Sequence, residues 1–203
     1  MPSRAERASI ITSALLVILF SYFLHQSRPA ALACLVLFLM LLLQWIWKAG
    51  KQEINRTFGF HGCAWHWLLA LAVLGVGLAL RLRWYEGYPV FPTKVSPFLV
   101  MAALIGLTEE LVFRGYFYGR WMAWSGWGVA VVMAAVLHTA YKVALLASSG
   151  TANLVFLGSV TLIAGLVLGL GRKVSGSIWP CVVFHVAFDI CVYGDRPTPW
   201  WIW

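Results

Sequence analysis

Only seven acidic residues occur in this 203-residue chain, and three of them, Glu109, Glu110 and Asp189, stand inside long apolar runs. So do Arg114, His138 and His185. The other acids, Glu6, Glu53, Glu86 and Asp195, fall in terminal or connecting stretches. Carboxyl and imidazole groups take and return protons in hydrolysis. The same set can ligate zinc or relay protons through a membrane. Spacing narrows the choice. Glu110 and Arg114 stand four residues apart, which puts them on one helix face where they can pair. Glu109 points about 100° away from its neighbour. The arginine is therefore expected to neutralise Glu110 and to leave Glu109 free as a base. His185 and Asp189 share a face by the same i,i+4 rule. Lys142, four residues after His138, reads as a side chain reaching for the membrane interface. His61, Cys63 and His66 lie together at a loop–helix junction but lack a fourth ligand, so no metal site is expected there.

These side chains need helices to hold them. The chain is 62% hydrophobic and 11% charged, with a mean hydropathy of +0.83. A soluble globule needs more polar skin than this leaves. We expect an all-α polytopic transmembrane bundle, one integral domain over residues 1–203, with about seven spans of roughly 20 residues. The apolar runs are Ala8–Leu24, Ala30–Trp47, Trp65–Leu82, Pro97–Trp121, Trp127–Ala147, Ala152–Leu170 and Ser177–Tyr193. The first follows Arg4 and Arg7 but is long for a signal peptide, and it is read as a span. A charge at mid-span costs about 2.5–3.5 kcal/mol against lipid. Three charges in the fourth run must therefore face the bundle interior and one another. Counted from the N-terminal side of the membrane at 1.5 Å per residue, Glu109, His138 and His185 lie roughly 18, 16 and 14 Å deep. A site between the fourth, fifth and seventh spans follows.

Tryptophans mark the ends of the runs, at positions 45, 47, 65, 67, 84, 121, 124, 127, 179 and 200, as expected of side chains that settle in the headgroup layer. Arg4, Arg7, Lys48, Lys51, Arg56, Arg120, Arg172 and Lys173 then fall on one side of the membrane. Arg28, Arg81, Arg83, Lys94 and Arg196 fall on the other. This bias favours a cytoplasmic N-terminus in a cell membrane. The net charge of +8 is spread singly between runs, so no nucleic-acid partner is expected. The four cysteines (34, 63, 181 and 191) show no metal-ligand spacing and read as small core residues. Gly165 and Gly169 form a GxxxG, which predicts close helix packing.

At Glu109-Glu110-Leu111-Val112-Phe113-Arg114-Gly115 the sequence resembles the EExxxR motif of the CAAX-protease and bacteriocin-processing family of intramembrane proteases. His138 is similar to the lone histidine of that family's second motif. His185-Val186-Ala187-Phe188-Asp189 resembles its third, HxxxN or HxxxD. The resemblance runs from about Pro97 to Tyr193, the expected catalytic core. Two positions differ. Ala134 stands where the second motif usually has an aromatic, and Asp189 stands where the prenyl-protein proteases have asparagine.

The resemblance implies a glutamic-type endopeptidase that cuts a membrane-associated or lipid-anchored substrate and needs no cofactor and no metal. Glu109 would be the general base acting on a water held with His138. His185 and Asp189 would polarise the scissile carbonyl, and Arg114 with Glu110 would support the site. Three other readings stay open on the same residues: a metal-dependent membrane hydrolase, a proton-coupled transporter and a catalytically silent immunity factor.

Overall fold

The computed structural model describes residues 3–148 and 153–195. Ala152, Arg196 and Trp200, used above for the sixth span, the charge bias and the tryptophan girdle, lie outside the described residues. Every element among the described residues is helical: α1 (Arg4–Phe23), α2 (Arg28–Lys48), α3 (Lys51–Phe58), α4 (Trp65–Tyr85), α5 (Phe98–Glu110), a π-helical segment (Leu111–Phe117), α6 (Tyr118–Ser148), α7 (Leu154–Ser175) and α8 (Trp179–Tyr193).

The helices begin and end where local chemistry says they should. Ser3 and Glu6 close a reciprocal capping box on α1, which satisfies two otherwise orphaned backbone donors. Proline opens α2 and α8, where its missing N–H costs nothing. Serines inside α1 bond back to their own helix, Ser13 to the Ser9 carbonyl and Ser21 to the Ile18 carbonyl. Their hydroxyls are thereby satisfied without water.

Among the described residues, five helices are long and apolar enough to cross a membrane: Arg4–Phe23, Arg28–Lys48, Trp65–Tyr85, the continuous stretch Phe98–Ala147 and Leu154–Ser175. Trp179–Tyr193 is a shorter apolar helix. Two of the seven runs thus merge into one stretch of 50 residues. A straight helix of that length would measure about 75 Å, far beyond the roughly 30 Å hydrocarbon layer. The stretch is not straight. Gly126, at φ 80° and ψ 174°, interrupts it with a conformation open to glycine but scarcely to other residues. Glu109 and His138 would lie about 43 Å apart along one rod, yet their side chains are 3.1 Å apart. The chain therefore doubles back, and the loop expected between Trp121 and Trp127 shrinks to a turn around Gly126.

Packing is pairwise. α6 lies on α7, α8 lies on both α4 and α5, and α1 lies on α2 and α6. Gly75 of α4 faces the Phe184 carbonyl of α8 so closely that a Cβ there would sit 2.5 Å from the oxygen. The largest buried cluster is aromatic, with Phe38, Phe58, Phe113, Tyr116, Phe117, Tyr118 and Trp121 at its centre. Trp47, Trp65 and Trp84 are exposed, as interface anchors require, but Trp121 is buried and stacks on Phe117. The segment read as a loop from Lys48 to Phe60 contains α3, whose Thr57 and Phe58 are buried. They pack on Gly115 and Gly119, where a side chain would collide with them.

Candidate active site

Glu109 and Glu110 end α5, and the π-helical turn begins with the next residue. Such a widened turn is rare and tends to occur at functional sites. Here it leads through Arg114, which is fully buried. Arg114 Nη1 donates to Glu110 Oε1 at 2.9 Å, so the predicted pair is present. The same nitrogen lies 2.9 Å from His138 Nδ1. A guanidinium has no acceptor, so His138 Nδ1 must accept. The ring proton then sits on Nε2, which donates to Glu109 Oε2 at 3.1 Å. Arg114 thus fixes the tautomer of His138 and aims its one N–H at Glu109. Phe113 stacks on the same ring, with centroids 4.5 Å apart, and Tyr141 flanks it at 6.3 Å. These two aromatics hold the imidazole plane, although Ala134 carries none.

His185 comes in from α8. Its Nδ1 lies 2.8 Å from Glu110 Oε1, and its Nε2 is 3.5 Å from Glu109 Oε2 and 3.7 Å from Asp189 Oδ2. Gly106 of α5 lets this face approach, since a Cβ there would be 3.1 Å from Asp189 Oδ2. Glu109, His138, His185 and Asp189, read from three separate stretches, therefore stand together, with Glu110 and Arg114 beneath them.

One expectation is corrected. Glu109 is not left free: Lys142 Nζ lies 2.5 Å from Glu109 Oε1. The lysine does not run to the interface. It turns into the site, with its side chain 21% exposed. The signal was present in the sequence, because Lys142 stands one turn from His138 on the same face and has the longest reach of any nearby side chain. Electrostatics explain the result. A buried carboxylate without a partner is costly, and Arg114 is already committed to Glu110. Two carboxylates thus face two cations, and His185 with Asp189 can add a single shared proton without disturbing the balance.

Because both nitrogens of His138 are engaged, neither has a lone pair free to ligate a metal in this arrangement. Among the described residues no group of three or more His, Cys, Asp and Glu side chains is placed to hold a metal ion. A cavity of about 300 Å³ opens beside Glu109. Its walls are apolar, from Val17 and Phe20 of α1, Leu35 and Phe38 of α2, and Val112 and Tyr141 near the site.

Residues 91–191 match the family model described as type II CAAX prenyl endopeptidase Rce1-like. The match contains every residue of the cluster and begins after α4. No curated protein and no solved structure shows significant similarity to the chain.

Proposed function

The chain belongs, through residues 91–191, to the type II CAAX prenyl endopeptidase Rce1-like family, and from that premise we propose that it is a glutamic-type intramembrane endopeptidase. The observation that carries the reading is the setting of Glu109, a buried carboxylate ringed by His138, His185 and Lys142 at the side of an apolar cavity. Such a cavity suits a substrate that arrives through lipid, as a membrane segment or a lipidated peptide. We place the seven-run layout in a cell membrane, with the N-terminus in the cytoplasm.

In the proposed reaction Glu109, oriented by the His138 Nε2–H, takes a proton from a bound water. The water oxygen bonds to the scissile carbonyl carbon, and the C=O π pair moves onto the carbonyl oxygen. His185 Nε2, at long range from both neighbouring carboxylates, is placed to face that oxygen, with Asp189 orienting it. Collapse re-forms the C=O bond and breaks C–N. The nitrogen leaves with the bond pair and takes the proton from Glu109, which gives an acid and an amine. Arg114 and Glu110 hold the two histidines in register.

Glu109→Gln keeps the shape of the side chain and removes the base. Turnover of quenched fluorogenic membrane peptides by the purified protein is expected to fall by roughly 10²–10⁴-fold, with unchanged elution and melting. Wild-type activity should survive prolonged dialysis against a strong chelator. Full activity in the Gln variant, or lasting loss after chelation that zinc restores, would overturn the reading.

A further inference from the structure

Resting on the proteolytic reading, we propose that Lys142 is a catalytic residue whose ammonium donates a hydrogen bond to the carbonyl oxygen as it becomes an oxyanion, while a second N–H holds Glu109.

Peptide hydrolysis places negative charge on one oxygen, and preorganised donors aimed at it are worth more than any other single effect. The donors around Glu109 can be taken one at a time, beginning with the Tyr141 hydroxyl, which is spent on Glu109 itself. His138 spends its only ring proton on Glu109 Oε2, because its other nitrogen accepts from Arg114. Arg114 is wholly buried beneath the histidines and out of a substrate's reach. Asp189 offers oxygen atoms, and an ionised carboxylate next to an oxyanion repels it. His185 directs its Nδ1 at Glu110, which leaves at most Nε2. Lys142 is different. An ammonium carries three protons, and among the described residues it has one hydrogen-bond partner, Glu109 Oε1 at 2.5 Å, with the Tyr141 ring 5.8 Å away. Its side chain is 21% exposed, whereas that of Glu109 is 5% exposed, so the lysine is the more accessible member of the pair. A reacting carbon attacked by a water on Glu109 lies within a few ångströms of that amine. Positive charge at this spot also offsets the oxyanion where Asp189 does not.

The test uses the full-length protein in detergent, a panel of quenched fluorogenic peptides with farnesylated or unlipidated cysteine, and the variants Lys142→Met, Lys142→Arg, Asp189→Asn and Lys142→Met/Asp189→Asn. Loss of one such donor typically costs 10²–10³-fold in kcat. Lys142→Met is therefore expected to lower kcat by about 10²-fold with KM within about threefold, because the contact forms only in the transition state. Lys142→Arg should stay within about tenfold of wild type. Asp189→Asn supplies an amide N–H, so it should restore at least about tenfold to the Met variant, which a merely structural lysine would not allow. A Met variant with kcat within about threefold of wild type, while Glu109→Gln is inactive, would sink the lysine role alone. So would a double variant no faster than the Met variant. If wild type cleaves no peptide, or Glu109→Gln cleaves as well as wild type, the proteolytic reading fails and takes this role with it.

Discussion

Arg114 shows how one side chain can organise several others. Its Nη1 reaches both Glu110 and His138 at 2.9 Å, while Nε and Nη2 are buried without partners. Both members of the Glu110–Arg114 pair are fully buried. Removing one partner leaves the other as an uncompensated charge, which typically costs about 3–5 kcal/mol, more than removing both. Arg114→Met should therefore destabilise the protein by about that amount, and Glu110→Gln/Arg114→Met should recover part of the loss. Thermal unfolding of the purified variants measures this. A double variant whose loss equals the sum of the losses in Arg114→Met and Glu110→Gln would mean that the pair is not coupled. A second consequence concerns His138. Without Arg114 its tautomer is no longer fixed, so even a folded single variant should lose turnover.

At the scale of elements, the contact between α6 and α7 is what keeps Arg114 enclosed. Gly165 of α7 sits where a Cβ would come within 2.9 Å of the Ala135 Cβ and 3.3 Å of Arg114 Nη2. Gly169, one turn on, faces Val131. The GxxxG pair thus packs helices, as its sequence implies, and also makes room for the guanidinium. Gly165→Val should separate α6 from α7, cost about 1–3 kcal/mol as overpacking usually does, and lower turnover by moving His138. Gly158 is a fair control, because its added Cβ would meet only ordinary contacts at 3.4 Å or more. Gly158→Ala should leave melting and activity near wild type. Equal effects at both glycines would refute the special role of Gly165. Much of this was legible in sequence, because apolar runs and i,i+4 spacing report local geometry. The π-helical turn was not, since nothing in Leu111–Phe117 marks a widened turn by composition. Nor was α3, whose eight residues are too few and too polar to show a core face before Gly115 and Gly119 are seen to receive it.

For the molecule as a whole, the far end of the bundle is closed by a pair that charge counting does not reveal. Arg83 counts in the sequence as one more loop cation, yet it is fully buried at the end of α4. Its guanidinium donates to the carbonyls of Pro89 and Phe91 in the α4–α5 connection, to those of Cys191 and Val192 at the end of α8, and at 2.8 Å to each oxygen of Asp195. Asp195 also accepts from the Thr93 backbone at 2.9 Å. These partners lie up to 112 residues apart in the chain, and no window of sequence displays such a pairing. One arginine therefore ties α4, the following connection and α8 together, which steadies the helix that carries His185 and Asp189. Hydrogen bonds from Arg83, first among the causes, hold the Asp195 carboxyl at about 2, below the roughly 3.9 of a free aspartate. The unfolded chain takes up that proton first as pH falls. The contribution to stability is thus complete above about pH 4 and is lost as pH drops through about 2. Wild type should melt above Asp195→Asn by a constant margin from neutral pH down to about pH 5. That margin should narrow steadily below about pH 4, as Asp195 begins to protonate in the unfolded chain. A margin unchanged at pH values near 2.5 would show that the ionised pair is not what clamps this end of the bundle.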